Sequence, residues 1–154
     1  MWAATYYGLL KRNPGDSEFQ RYTPQNGQNS ISHLVVTQIT ESADGNIWVG
    51  TWGGGLDRIE LDDGGMQLYF TNFKLNQTET GKGAGVVSRL YYDQFRNLWI
   101  GTWNDGLRLM TETEQAQTPD KAKLIAYYKE SDNPTSLSDN EYRLCGLIGQ
   151  AYFG

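Results

Sequence analysis

Asn46-Ile47-Trp48-Val49-Gly50-Thr51-Trp52 is the stretch that decides the fold, because the chain repeats it. Asn97-Leu98-Trp99-Ile100-Gly101-Thr102-Trp103 is a second copy, 51 residues later, and Met1-Trp2-Ala3-Ala4-Thr5-Tyr6-Tyr7 is a third without its front part. A period of roughly 40 to 50 residues is typical of small sheets that stack on one another, since one such sheet cannot bury its faces alone. The repeat therefore predicts an architecture before any single residue predicts a function.

Short stretches with period-2 alternation surround each copy and predict four strands per unit, labelled a to d. In the first full unit they span 34–41, 46–52, 55–61 and 66–73, and in the next 86–93, 97–103, 106–112 and 123–129. The opening unit supplies only b, c and d, at 1–7, 8–13 and 18–23. We therefore expect an all-β chain of antiparallel propeller blades, about three in an incomplete ring: a partial blade 1–33, blades 34–85 and 86–138, and a divergent tail 139–154.

Glycines mark two places in this scheme. Asp44-Gly45 is a favoured pair for a tight hairpin between strands a and b, whereas the next unit has Gln94-Phe95-Arg96 there without a glycine. On strand b the alternation puts Trp48, Gly50 and Trp52 on one face. A glycine between two tryptophans leaves space, so we expect a neighbouring sheet to approach closely at that point.

Composition excludes several classes of function. The net charge is -5, and no basic stripe of the kind that binds nucleic acid is present, so we expect no nucleic-acid partner. No apolar run approaches the roughly 20 residues of a spanning helix, so we expect no membrane segment. The chain has one cysteine, Cys145, and one histidine, His33, which we interpret as a surface or capping residue. We expect no metal site and no cofactor.

Aromatic residues supply the candidate sites. Trp2, Trp48 and Trp99 lie in mid-strand, and we expect them to pack between sheets as the structural core of the blades. The second aromatic of each copy ends strand b beside the b–c turn, where it is placed to line the mouth of the channel and to stack on sugar rings. The ligand-binding candidates are therefore Tyr6, Trp52, Trp103, Asn104 and Asp105. The alternative is that these aromatics pad a blade edge or an oligomer contact.

No catalytic constellation is evident. Acidic residues are spread over the turns without the paired spacing that acid/base chemistry needs, and no nucleophile or phosphate-loop motif occurs. We therefore expect a protein that is not an enzyme. A propeller-type lyase is the competing hypothesis, and a single isolated histidine argues against it.

The repeat resembles the two-component regulator propeller repeat. The residues that carry the resemblance are Val36, Ile39, Gly45 to Thr51 and Gly54 to Leu56, and then Val87, Leu90, Asp93, Asn97 to Thr102 and Gly106-Leu107. The resemblance implies a piece of the periplasmic sensor region of hybrid two-component histidine kinases of Bacteroides type, linked to oligosaccharide sensing. A periplasmic location follows from the resemblance, although Met1 is followed at once by repeat sequence without a signal-peptide pattern. The alternative is a lectin-like scaffold that binds carbohydrate or protein without signalling.

The tail departs from the repeat. Counting through Ser30 and Ser136 places Tyr142 at the position of Val36, and the next blade tryptophan would fall on Gly154. Either the tail is a degenerate closing strand, or the coding frame changes near residues 140–142 and the chain is a truncated product, which is the interpretation we favour. Three blades are fewer than the roughly four to eight of closed propellers, so we expect self-association through open blade edges, such as two chains in a six-bladed ring.

Overall fold

The structure, a computed structural model, describes residues 1–26, 29–62, 67–75, 85–103, 105–127 and 136 of the chain. Eleven strands lie within these residues. They are β1 (Trp2–Thr5), β2 (Gly8–Lys11), β3 (Gln20–Tyr22), β4 (Val36–Glu41), β5 (Ile47–Thr51), β6 (Leu56–Leu61), β7 (Leu68–Phe73), β8 (Val87–Tyr92), β9 (Leu98–Thr102), β10 (Leu107–Met110) and β11 (Ile125–Tyr127). A short helix, α1 (Glu112–Gln115), lies between β10 and β11.

The strands form three antiparallel sheets, each in sequence order from one edge to the other. The first sheet is β1-β2-β3, the second is β4-β5-β6-β7 and the third is β8-β9-β10-β11. Strand β4 contacts β1 on one side and β8 on the other, so the first strands of the three sheets lie next to one another. Each predicted strand of the described residues is present, usually one or two residues shorter at its ends.

The core lies between the sheets, in two layers. Ile31, Val49 and Ile59 belong to the layer between the first and second sheets. Trp48 and Val87 belong to the layer between the second and third sheets. Because Trp48 and Val49 are adjacent on β5 and face opposite ways, β5 is buried on both sides, and all five of its residues are buried.

Gly50 is a point of close approach between the second and third sheets on β5. A Cβ atom built on Gly50 would lie 2.5 Å from Val87 Cγ1 and 3.0 Å from Val87 Cβ. Thr37, on β4, donates a hydrogen bond from its hydroxyl to the Val87 carbonyl at 2.6 Å. The glycine between the two tryptophans therefore admits β8, as the sequence predicts.

The a–b turns of the second and third sheets adopt the same left-handed conformation, with a glycine in the second sheet and an arginine in the third. In the second sheet Gly45 has φ 83°, the left-handed conformation that glycine adopts without a steric cost. In the third sheet Arg96 takes the same position with φ 63°. Its backbone carbonyl accepts from Gln115 Nε2 at 2.8 Å, and Gln115 is itself buried on α1. The helix, which the sequence analysis did not predict, thus supports the turn that lacks a glycine.

The predicted tail, 139–154, lies outside the described residues. No helix in the described part of the chain combines the length and apolar character needed to cross a membrane.

Candidate functional site

The b–c turns of the second and third sheets meet at one end of the structure, which we call the turn face: the β5–β6 turn, the β9–β10 turn and the starts of β4 and β8. Backbone hydrogen bonds tie these segments together. The Trp52 N–H donates to the Val35 carbonyl at 3.0 Å, and the Trp103 N–H donates to the Val86 carbonyl at 3.1 Å. Trp52 and Val86 also form an isolated antiparallel bridge. The turn face is therefore a junction between two sheets.

Two of the predicted ligand-binding aromatics come together there. The rings of Trp52 and Trp103 are 5.4 Å apart between centroids and tilted by 55°. Trp52 is 46% exposed, and Trp103 is half-buried. A tilted aromatic pair with one open ring offers a flat apolar surface to solvent at a fixed position.

Tyr6, the third predicted aromatic, lies in the β1–β2 turn and is 77% exposed. Among the described residues we find no ring contact between Tyr6 and either tryptophan. Asn104 lies outside the described residues. The structure therefore joins two of the five candidates.

Asp105 lies in the β9–β10 turn, but its side chain points into the protein. It is 1% exposed, and its carboxylate accepts from Arg108 Nη2 at 2.7 Å. Arg108 is 5% exposed, so the pair is enclosed. The Asp105 carboxylate is therefore enclosed within its turn and is not exposed at the turn face.

The mid-strand tryptophans all pack within the sheets. Trp48 is 1% exposed and lies 5.5 Å from the ring of Phe73. Trp2 is half-buried against Tyr22. Trp99 is half-buried, and its Nε1 donates to Asp93 Oδ2 at 2.8 Å. These contacts are those of structural residues.

A buried polar network lies directly under the turn face in the second sheet. Asp57 is fully buried, and its Oδ2 accepts from both the N–H and the hydroxyl of Ser32, each at 2.9 Å. Its Oδ1 accepts from Asn72 Nδ2 at 3.1 Å. Burial raises the pKa of Asp57, and the hydrogen bonds from Ser32 and Asn72 oppose that shift without cancelling it. The network ties the segment before β4 to the β5–β6 turn.

The third sheet has a residue of opposite charge at the position that Asp57 occupies in the second sheet. In the strand registers Asp57 is opposite Val49, and Arg108 is opposite Ile100, the equivalent residue of the next copy. The carboxylate of the second sheet is thus replaced by an arginine, which finds its partner within its own turn. Sequence reasoning grouped Asp105, the partner of Arg108, with the exposed face because the sequence does not show which polar side chains the turns enclose.

His33, which the sequence analysis set aside, also lies at the turn face. A Cβ atom on Gly53 would be 3.8 Å from its Cδ2 and its Nε2, so the imidazole lies beside the residue that follows Trp52. Its Nδ1 accepts from the Val35 N–H at 3.1 Å. The sequence signal was the position of His33 three residues before Val36, the first apolar residue that strand a shares with the next copy.

Two clefts occur away from the turn face. One, of about 420 Å³, lies between the outer strands of the first and second sheets and is lined by Lys11, Tyr22, Asn29 and Phe70 among others. The other, of about 370 Å³, lies at the opposite end, near Arg58, Arg96 and Glu112. In the described residues no group of three or more His, Cys, Asp or Glu side chains is arranged to hold a metal ion. Both clefts mix polar and apolar side chains, and neither is lined by Trp52 or Trp103.

Comparison with known proteins agrees with this geometry. Residues 30–53, which include β4 and β5, match the family described as two component regulator propeller. Over 86 residues, 56% of this chain and 6% of the relative, the sequence is 31% identical to Histidine kinase P4 of Formosa agariphila.

Two solved structures from B. thetaiotaomicron share the architecture. The extracellular domain of the hybrid two component system BT3049 aligns with a TM-score of 0.58 at 21% identity, covering 82% of this chain and 16% of that one. The extracellular domain of the one component system BT4673 aligns with a TM-score of 0.60 at 22% identity, covering 90% of this chain and 18% of that one. The chain thus spans less than a fifth of each of these relatives.

These similarities confirm the all-β fold of propeller blades. The three stacked sheets, the repeated Trp-x-Gly-Thr strands and the matched segment lead to one conclusion: the chain is built of propeller blades, and its residues 30–53 are similar to the two component regulator propeller family.

Proposed function

We propose that this chain is a ligand-sensing propeller segment of a two-component system, that it is not an enzyme, and that its turn face binds an oligosaccharide. The observation that carries the proposal is the Trp52–Trp103 pair, whose rings are 5.4 Å apart with Trp52 nearly half exposed. The apolar C–H face of a sugar ring stacks on such a surface, while its hydroxyl groups remain available to polar neighbours. Two-component relatives support the sensing role, and the extracellular neighbours support a periplasmic location.

The three predicted blades, 1–33, 34–85 and 86–138, are part of the proposal. In each blade the second aromatic stands at the b–c turn, but among the described residues Tyr6 makes no ring contact with Trp52, so the proposed surface lies between blades 34–85 and 86–138. The Trp52–Trp103 junction is the instance that the described residues contain.

A glycan array of plant and host oligosaccharides tests the binding proposal. The wild-type chain should retain one class of glycan, and Trp52→Ala and Trp103→Ala should each weaken that binding by about tenfold or more, since one stacked ring contributes about 0.5–1.5 kcal/mol beyond the apolar area that it buries. Phe95→Ala is the matched control, because Phe95 is also an exposed aromatic, 72% exposed, but lies in the a–b turn. Equal loss in the control variant, or no glycan retained by the wild type, would refute the proposal.

The lectin-like alternative predicts the same binding without signalling. The sequence of the gene region separates the two cheaply, because a kinase-coding sequence in frame with these repeats favours the sensor.

We also propose self-association, with a second copy of the chain as the occupant of the outer face of the third sheet. One cross-strand row on that face is wholly apolar: Tyr91, Trp99, Leu109 and Ile125 are successive register partners from β8 to β11. The corresponding row on the second sheet, which the third sheet covers, contains Thr40, Trp48, Arg58 and Thr71. Tyr91 and Ile125 are 40% and 49% exposed, and a sheet face of this kind is buried when another blade stacks on it.

Analytical ultracentrifugation at tens of micromolar tests the association. Wild type should sediment as a dimer, and Ile125→Glu should sediment as a monomer with unchanged circular dichroism. A wild-type chain that is sharply monomeric would rule the second copy out.

A further inference from the structure

The imidazole of His33 presents a hydrogen-bond donor at the turn face. In a neutral imidazole one ring nitrogen accepts and the other donates. Since Nδ1 accepts from the Val35 N–H at 3.1 Å, the proton is on Nε2. Among the described residues, none accepts a hydrogen bond from that Nε2.

This donor lies beside Gly53, the residue that follows Trp52 in the sequence. The distance from Nε2 to a Cβ atom built on Gly53 is 3.8 Å, and glycine leaves that space empty. Gly53 is itself fixed, because its N–H donates to the Gly85 carbonyl at 3.0 Å. The donor therefore lies beside the turn that carries the exposed ring of Trp52.

The position of the imidazole is determined by the segment on both sides of it. Ser32 is tied to the buried Asp57 through its N–H and its hydroxyl. Val35 is tied to Trp52 through its carbonyl. Gly54 lies so close to Ser32 that an added Cβ would clash with the Ser32 backbone at 2.9 Å. His33 therefore has little freedom to leave the turn face, so little conformational entropy is lost when a ligand binds beside it.

This arrangement belongs to one blade. Three residues before Val87, where His33 stands relative to Val36, the sequence has Ala84, which has no side-chain donor. The position of Asp57 is taken by Arg108, paired with Asp105. The donor is therefore not a general requirement of the blade fold.

We propose that His33 determines the specificity of the Trp52–Trp103 site: when a sugar ring stacks on Trp52, Nε2–H donates to an equatorial hydroxyl oxygen at the edge of that ring. Equatorial hydroxyls lie near the plane of the ring and point outward, toward a donor beside the stack, whereas an axial hydroxyl points away from that plane. The inference rests on the proposed oligosaccharide function and names the residue that selects among sugars.

Isothermal titration of four variants tests it, with cellohexaose, xylohexaose and mannohexaose as the probes. His33→Ala should raise the Kd of the best probe by about tenfold, the value of one neutral hydrogen bond. His33→Gln should recover most of the affinity, because its side-chain amide also donates. Trp52→Ala should raise the Kd by about tenfold or more, and Phe95→Ala should bind as wild type does.

The outcomes are distinguishable. Unchanged Kd in His33→Ala together with a raised Kd in Trp52→Ala would overturn the role of His33 and leave the proposed function intact. No binding of any probe by the wild type would overturn both.

A second measurement needs no ligand. Two-bond ¹H–¹⁵N correlation spectra of the wild-type imidazole should show the Nε2–H tautomer. The Nδ1–H tautomer would overturn the inference, because the exposed nitrogen would then be an acceptor.

Discussion

Gly50→Ala should destabilise the protein, although alanine is the better residue for an ordinary strand. The added methyl group would lie 2.5 Å from Val87 Cγ1, 3.0 Å from Val87 Cβ and 3.2 Å from Thr37 Oγ1. Val87 is fully buried at the centre of the layer between the second and third sheets, so it cannot swing into solvent.

Two effects of opposite sign decide the magnitude. Replacing glycine by alanine restricts the unfolded chain and stabilises by about 0.4–1 kcal/mol where the native conformation suits alanine. Inserting a methyl group into a packed core costs about 1–3 kcal/mol. Since carbon atoms do not approach to 2.5 Å without displacement of a strand, we take the upper part of that range. The net loss should be about 1–2.5 kcal/mol.

Urea unfolding followed by tryptophan fluorescence measures the loss, and Gly50→Ala should lower the midpoint with an unchanged slope. The control is a double variant with Val87→Ala, which removes Val87 Cγ1, the atom nearest the new Cβ. In the double variant the two losses should fall short of additivity by about 0.5 kcal/mol or more, as expected for residues in contact. Wild-type or higher stability of Gly50→Ala would refute the close approach of β8.

Three further predictions concern hydrogen-bonded side chains. Burial acts to raise the pKa of Asp93, but bonds from Asn97, Trp99 and Phe95 outweigh it and lower the pKa, so Asp93→Asn should cost about 1 kcal/mol at pH 7. Because that stability is lost as pH falls through the lowered pKa, the cost should shrink in urea titrations at pH 3. Asp57 has a raised pKa in the folded protein, so the free energy of unfolding of the wild type falls as the pH rises from 3.8 through that raised pKa. The stability lost in Asp57→Asn should therefore be larger at pH 3 than at pH 7. Asn29→Ala should cost about 1 kcal/mol and speed hydrogen exchange of the Phe70 amide, since the Asn29 side chain bonds Leu68 O and Phe70 N at 2.6 Å each; unchanged exchange would contradict this.

The strands could be predicted from the sequence because they carry a repeat. The predicted b strand 46–52 is observed as β5 (Ile47–Thr51), and the predicted c strand 55–61 as β6 (Leu56–Leu61). Period-2 alternation and a second copy reinforce each other in such segments. The third c strand was predicted to reach residue 112, but it ends at Met110, because Thr111 begins the turn into α1. That helix occurs in one unit, so the repeat gave no signal for it.

The site was harder to predict than the fold. Aromatic spacing was enough to single out Trp52 and Trp103, yet not to show that their rings touch. The sequence does not show whether a polar residue near a turn is buried or exposed. Asp105, which is enclosed with Arg108, could therefore not be distinguished from a residue that faces solvent. The sequence indicated only a surface or capping role for His33, because Gly53 and Val35 approach its ring only in the folded chain.

The contact between Gly50 and Val87 is divided between two consecutive copies of the repeat. The glycine belongs to strand b of one unit, and the valine belongs to strand a of the next. A unit of this kind carries half of the contact to its successor and, with Val36 at the start of its own β4, the matching half toward its predecessor. Gly101 repeats the glycine half in the next unit, whereas the opening unit has Ala4 at that position. A gene duplication of a unit that carries both the glycine and the valine therefore copies complementary surfaces at the same time, and such units can be joined without any change to the residues at their junctions.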